Sequence, residues 1–415
     1  MKKRDNVSVK WSLLAILLIV NSAFAQARDE ALLQAATASQ AATVKTLERL
    51  VNIETGTGNA EGLAAMARLL EDALKAVGAV VERHKATEPA VGDNIVATLQ
   101  GKGGKNIMLM AHMDTVYVAG TLAKAPFRVD GVRAFGPGIA DDKGGIAVIL
   151  HTLQLLKARG FEGFGKITVL FNTDEERGSI GSRLLIRSLA RQHDFVMSFE
   201  PTIAIKEILV LGTSGTAGVD VTIKGKASHA GAAPELGVNA LTEAADLIMR
   251  TQHIDDKANG LRFNWTVAKS GGVTNIIPDQ AQLTADFRFV TKADYDAALA
   301  KLQVAVDKKR LADSSIEISV RQGMPAFNAG VEGRKLVDKA VAIYKEVGAE
   351  LTILPRTGGG TDAAWAAQDG TPVIEGMGLP GFGYHSNNAE YVMIDAIPRR
   401  LYLAARMLMD LAQGK

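Results

Sequence analysis

Five side chains of the kinds that bind divalent metals are strung along this 415-residue chain, each inside a compact motif. They are His112 in HMDTV, Asp141 in GIADDKGG, Glu176 in DEERGSIGS, Glu200 in SFEP and His385 in GFGYHSNNAE. Two neutral imidazoles and three carboxylates, the middle carboxylate shared, make a dinuclear zinc site. Zinc takes nitrogen and oxygen ligands, and a catalytic site keeps a position open for water. The reaction class that follows is hydrolysis by a metal-bridged hydroxide.

Taken singly, each motif has a plainer reading. His112 follows the apolar run NIMLMA, where a structural histidine at a strand end is common; Asp114, two residues on, can take its second ring N–H. Asp141-Asp142 follows the Gly136-Pro137-Gly138 turn and opens a helix, so an aspartate there could simply cap it. Asp174-Glu175-Glu176 follows KITVLFNT and could be a solvated acidic turn. Three carboxylates at a sheet edge repel one another unless a cation is present. With a cation, one glutamate binds metal while its neighbour holds the attacking water. Glu200 ends another apolar run, and His385 sits in a glycine-rich loop with Glu390 close enough to orient it. His84, His151, His193 and His253 lie in no such context and read as structural or surface residues. What carries the metal reading is that all five ligands fall just past strand ends, on one expected sheet edge.

The elements that must position them alternate. Residues 61–77 and 143–159 show helical periodicity. Asn106–Ala111, Lys166–Asn172, Phe195–Phe199 and Glu207–Leu211 are short apolar runs that read as buried strands. This predicts an α/β fold with a mostly parallel sheet and helices on both faces. Near Gly212-Thr213-Ser214-Gly215 the pattern changes to strand (216–224), helix (237–253), strand (263–270), strand (281–289), helix (292–308), strand (315–321). That order is the ferredoxin-like split motif, an α+β unit. After Met324-Pro325 the α/β pattern resumes, with helices near 331–347 and 395–412. The expected organisation is therefore a domain built from 26–213 and 326–415, with 214–325 inserted as a dimerisation or lid domain.

Residues 1–25 stand apart. Lys2, Lys3, Arg4 and Lys10 precede an apolar run from Trp11 to Val20, then Ala23-Phe24-Ala25. This is the layout of a secretory signal peptide and not of a membrane anchor, so an exported protein, periplasmic or secreted, is expected. The segment carries four basic residues and one acidic, so the net charge of +2 becomes −1 without it. The residual charge gives no case for nucleic acid binding. The chain has no cysteine, which rules out disulfides and thiolate ligands.

Through HMDTV, GPGIADDKGG, DEERGSIGS, FEP and GYHSNNAE, in that order and spacing, the chain resembles the dinuclear zinc aminoacylase/carboxypeptidase family over almost all of its length after residue 25. Within that family it is most similar to the folate-hydrolysing bacterial glutamate carboxypeptidases, and Glu200, where many relatives have aspartate, fits that branch. The resemblance implies two Zn2+ per subunit. His112 and Glu200 would hold one ion, Glu176 and His385 the other, with Asp141 bridging. Glu175 would be general base and then acid, and Asp114 would orient His112. From the inserted domain, Asn275 of GGVTNIIP and Arg288 of ADFRF would help hold the substrate carboxylate. His229 of KASHAGAAP would reach the active site of a partner subunit. Gly360 of RTGGGTDAAW resembles a backbone carboxylate-binding turn. The Asp141–Asp142 peptide is expected to be cis. Arg288 as a surface residue, Asn275 as a turn former and His229 as a strand-end residue are the plainer alternatives.

The implied activity is a zinc exopeptidase that releases a C-terminal amino acid, glutamate, from N-acyl substrates such as folates, as a homodimer. An aminoacylase, a succinyl-diaminopimelate desuccinylase or a peptidase of the same fold shares the motifs. An exported solute-binding protein would also have two lobes and a signal peptide, but it leaves five ligands and a spare glutamate unexplained. A scaffold with a decayed site would be expected to have lost a ligand.

Overall fold

The computed structural model describes residues 28–386 and 388–414; the expected signal peptide lies outside them. The larger unit is an eight-stranded sheet. Its spatial order is Val80–Lys85, Asp93–Gln100, Lys166–Asn172, Asn106–His112, Phe195–Ser198, Val373–Glu375, Ile208–Val210, Thr352–Leu354. Four of its seven pairings are parallel. The two strands at one edge, 80–85 and 93–100, pair antiparallel with each other and with 166–172. The central strands are buried on both faces: Ile107, Leu109, Val169 and Phe171 pack on the helix-lined core formed with 143–158 and 397–412, and Met108, Met110 and Leu170 on the other side. Burial on both sides is why these strands read as continuous apolar runs and not as alternating ones.

Helices form where the sequence repeats its apolar positions. Ala60–Ala76 buries Leu63, Met66, Ala67, Leu70 and Leu74, one stripe at helical spacing, and Asn59 caps it by accepting from the Gly62 N–H at 3.1 Å. Two helices near the start, Glu30–Ala38 and Gln40–Val51, were not anticipated. Among the described residues no helix is long and apolar enough to cross a membrane.

Residues 215–322 form the second unit, an antiparallel sheet ordered 262–270, 280–289, 215–224, 315–322, with helices Ala240–Thr251 and Lys292–Asp307 packed on it. The boundaries match the split-motif expectation to within a few residues, the longest shortfall being the first helix, which begins at Ala240 after Asn239 caps it. Period-two alternation decides the faces. Ala217, Val219, Val221 and Ile223, and Ala281, Leu283, Ala285, Phe287 and Phe289, are buried. Arg288 and Asp286 therefore share the opposite face.

Of the histidines set aside in the sequence, His193 and His151 are structural here, and His253 is exposed. His193 bridges the Leu189 carbonyl (2.7 Å) and Thr168 (2.8 Å). His151 lies in the helix 143–158, bonded to Thr46 at 2.9 Å, and burial pushes its pKa down to about 4. A lowered histidine pKa means the folded state resists protonation. Its contribution is intact above the unfolded value near 6.5 and is lost as pH falls toward 4, by roughly 3 kcal/mol at pH 4. Chemical denaturation of His151→Gln should accordingly show a flatter fall in stability between pH 6.5 and 4; an unchanged slope would remove His151 as a cause.

Candidate metal centre and substrate cleft

The five ligand residues converge. The strand Asn106–His112 ends by presenting His112, and the loop after Gly138 presents Asp141. The Asp141 carboxylate divides its oxygens: Oδ1 lies 2.9 Å from His112 Nε2 and Oδ2 lies 3.3 Å from His385 Nε2. Glu200 approaches the first imidazole at 3.6 Å and Glu176 the second at 3.0 Å. Each half therefore has one imidazole, one private carboxylate and one oxygen of the shared aspartate.

Local structure explains how the loops hold this arrangement. The Asp141–Asp142 peptide is cis, as the resemblance implies. Asp142, not Asp141, caps the helix 143–158: its Oδ1 accepts from the Gly145 N–H at 3.2 Å and its Oδ2 from the His112 N–H at 3.4 Å. Asp142 also falls within ligand range of His112 and Glu200. Both its oxygens are already turned to backbone N–H groups, so the helix cap is its role. The helix-cap reading was right for this dipeptide and applied to the other aspartate.

The acidic turn is fixed from below. Asp114 accepts the N–H of Glu175 at 3.0 Å and of Glu176 at 3.3 Å, and the Thr57 hydroxyl at 2.7 Å. His112 Nδ1 meets the Asp114 carbonyl at 3.0 Å and its carboxylate at 3.4 Å. One aspartate thus orients the histidine and pins the glutamate pair. The expectation that Glu390 orients His385 is corrected. Its carboxylate accepts from the N–H groups of Gly138 (2.9 Å), Ala140 (2.7 Å) and Asp141 (3.1 Å), holding the loop of the bridging aspartate instead. His385 is held by its own backbone in the left-handed region (φ 52°), which a non-glycine residue adopts only where its surroundings impose it.

Three further buried groups were missed. Asp362 binds Ser179 and takes 2.7 Å from Asn172, beneath the acidic turn; burial pushes its carboxyl up to about 7. Asp174 accepts from Gly181 N–H (2.6 Å) and Ser182 (2.5 Å), closing the same turn. Glu375, at the end of its strand, takes a bond from Ser198 and is pushed by burial up to about 8. Asp362 stands inside RTGGGTDAAW, where only Gly360 was singled out; Asp174 was named with the acidic turn but given no role of its own, and nothing local marked Glu375.

Electrostatics fit metal ions. Burial pushes Glu200 and Glu175 well above the usual carboxylate range; the His112 charge opposes this, and neighbouring acids push further in the same direction. Asp141 and Glu176 hold His385 up near 10. Packing this many acids around two imidazoles is costly unless cations neutralise them. An all nitrogen and oxygen donor set of this kind suits zinc, with carboxylates tolerating other divalent ions.

The substrate residues divide. Gly360 lines a cavity of about 260 Å³ together with Asp141, Glu200 and His385. Arg288 lies on the inserted sheet, its Nε and Nη2 each 2.9 Å from Asp286. Its register partner Thr216 touches the Gly360 turn, where an added Cβ would meet Thr216 Cγ2 at 3.2 Å. His229 and Asn275 are neighbours: His229 pairs with Ile276, next to Asn275, and the Ala230 N–H donates to the Asn275 carbonyl at 2.9 Å. His229 Nδ1 accepts from the Gly231 and Ala232 N–H groups, both at 3.1 Å, on an exposed surface. Among the described residues Arg288, Asn275 and His229 make no hydrogen bond to a metal-ligating side chain and do not line that cavity.

Known proteins resemble this chain in sequence and fold. Carboxypeptidase G2 of Pseudomonas sp. (strain RS-16) is 62% identical over 404 residues, 97% of each chain. Succinyl-diaminopimelate desuccinylase of Methylobacterium radiotolerans is 30% identical, over 82% of this chain and 90% of its own. In fold, the crystal structure of aminopeptidase PepT from Bacillus cereus superposes with a TM-score of 0.77 at 24% identity, over 90% of this chain and 99% of its own. The Bacillus subtilis YXEP protein, a dinuclear metal-binding peptidase, does so with 0.67 at 17%, over 91% and 100%. Residues 108–410 match peptidase family M20/M25/M40, and the chain belongs to that family.

Proposed function

We propose that this protein is a zinc-dependent metallocarboxypeptidase that releases C-terminal glutamate from N-acyl substrates such as folates and their analogues. The observation that carries it is the divided Asp141 carboxylate, with one imidazole and one glutamate on each side. His112 and Glu200 would hold one ion and His385 and Glu176 the other. When bound, the pair of ions polarises the scissile carbonyl and brings water into nucleophilic range at neutral pH. The rest falls to the chain. Glu175, held by Asp114 through its own N–H, takes the proton of the attacking water and passes it to the leaving amine nitrogen. Arg288 and Asn275 pair with the terminal carboxylate when the inserted unit approaches, which restricts the cut to the chain end. Similarity to a protein named carboxypeptidase, 62% identical over nearly the whole length, supports this above the desuccinylase reading at 30%. The test is incubation with an N-benzoyl glutamate and assay of free glutamate. Glutamate is expected from the free acid and not from its α-carboxamide; equal release from both would contradict a carboxypeptidase.

The protein is read as exported and dimeric. Its inserted sheet ends in the strands 262–270 and 315–322, each with one unpaired edge. An open edge is a ready pairing surface for a second copy about a two-fold axis. His229, exposed and away from its own metal cluster, would then serve the partner's site. Sedimentation is expected to give twice the chain mass, with His229→Ala lowering activity about 10²-fold. A fully active monomer would remove both statements.

A further inference from the structure

The chain passes between the two units twice, through 213–215 and again through 322–327, and the two crossings lie side by side. At their base Gly212 and Thr213 pair antiparallel with Asn328 and Phe327. Further out, the Thr216 N–H donates to the Met324 carbonyl and the Gly323 N–H to the Thr216 carbonyl, both at 2.9 Å.

One side chain from outside the crossings ties them together. Arg356 follows the strand Thr352–Leu354 at the edge of the main sheet. Its Nη1 donates to the Thr213 carbonyl at 2.5 Å, on the outgoing crossing, and to the Phe327 carbonyl at 3.3 Å, on the returning one. Its Nη2 donates to the side-chain oxygen of Asn328. The fit is close, since a Cβ at Gly212 would meet Arg356 Nη2 at 2.9 Å. Burial lowers the pKa of Arg356 and the Asp294 charge opposes this; among the described residues no carboxylate is hydrogen-bonded to it. A charged donor makes stronger hydrogen bonds than a neutral one, and all of those made by this half-buried guanidinium go to the two crossing strands.

The next residues form the turn that faces the substrate. The Thr357 N–H donates to the Gly212 carbonyl at 3.0 Å, and the Ser214 N–H is shared by the carbonyls of Thr357 (3.2 Å) and Gly359 (3.0 Å). The Gly360 turn, the crossings and Arg356 are therefore one hydrogen-bonded unit. Thr216, just beyond it, is the register partner of Arg288. Any slip of the crossings thus moves Arg288 relative to the Gly360 turn.

We propose that Arg356 is a positioning residue: it clamps the two crossings and so sets where the inserted unit brings Arg288 relative to the Gly360 turn. This rests on the proposed carboxypeptidase reading, in which Arg288 pairs with the terminal carboxylate of the substrate.

The experiment compares the zinc-loaded wild type with Arg356→Gln, Arg288→Ala and the double variant. It reads kcat/KM on N-benzoyl glutamate, zinc content, and hydrogen exchange in the peptides covering 212–216 and 323–328. Arg356→Gln is expected to keep its zinc and to lose about 10²-fold in kcat/KM, the scale of a misplacement of ~1 Å. Exchange should quicken across both crossings and stay unchanged in the strand Asn106–His112. In the Arg288→Ala background the same change should cost about 10-fold or less, because the group it positions is gone. Arg356→Lys should recover part of the loss, since an ammonium cannot present the planar fork to all three acceptors. Asn328→Ala removes one acceptor at an exposed position, where folding is not at stake, and should move both readouts the same way by less. An equal loss from Arg356→Gln with and without Arg288 would make Arg356 a support of the fold and overturn the inference. Unchanged exchange, or unchanged kcat/KM in both Arg356→Gln and Asn328→Ala, would overturn it as well. A wild type that releases no glutamate overturns the carboxypeptidase reading and the positioning role with it, while faster exchange in Arg356→Gln would still support the clamp.

Discussion

Glu175→Gln is expected to keep the fold, the metal ions and substrate affinity while lowering kcat by about 10²-fold or more. Glutamine preserves the side-chain volume and the backbone N–H that Asp114 accepts at 3.0 Å, so the turn should stand. What it removes is the only role in the scheme that requires a proton to be taken and returned, worth roughly 10²- to 10⁴-fold in such enzymes. Glu176→Gln should behave differently. Its carboxylate lies 3.0 Å from His385 and faces the second ion position, so metal content itself should fall. Measuring bound zinc and kcat on both variants separates the two glutamates. If Glu175→Gln loses metal while Glu176→Gln keeps it, their roles are exchanged.

Arg288→Ala is expected to cost about 30- to 4,000-fold in kcat/KM on substrates with a free terminal carboxylate, the range for removing one partner of a desolvated charge pair. The same change should do little to carboxamide analogues, which are poor substrates from the start. In the structure the guanidinium is held by Asp286, two residues away on the same face of the strand. A substrate carboxylate that reaches Arg288 would therefore have to compete with or share that partner. Arg288→Lys should recover only part of the loss, because an ammonium cannot present a planar fork of donors. Equal losses on acid and carboxamide would mean that Arg288 supports the sheet or the dimer.

That the five candidate ligands come together was legible because each depends on local sequence: an apolar strand, a short loop, one side chain that could bind metal. His112, Asp141, Glu176, Glu200 and His385 needed no knowledge of long-range contacts to be picked out, only of where parallel strands end. The inserted unit was legible for a related reason, since Gln280–Phe289 alternates strictly between buried and open faces. What failed was anything fixed by partners far apart in the chain. Glu390 sits five residues from His385 and was assigned to it. It instead accepts from the loop around Asp141, about 250 residues away. Asp362 and Ser179 meet across 183 residues. The edge strand Val80–Lys85 carries mostly exposed polar side chains and so gave no apolar signal, and the first helix is alanine-rich with only two buried residues. Asp142 against Asp141 shows the limit within a single motif. Both fit a cap and both fit a ligand, and only the direction of the Gly145 and His112 N–H groups decides.

The central claim is that two metal ions held by these five side chains drive amide hydrolysis. The direct measurement is elemental analysis and turnover on one preparation, before chelation, after it, and after zinc is returned. The account predicts two zinc ions per chain, loss of glutamate release when they are stripped, and recovery that tracks the ions restored. Full turnover by metal-free protein, or a fully loaded enzyme with His112→Ala and His385→Ala in place, would contradict it.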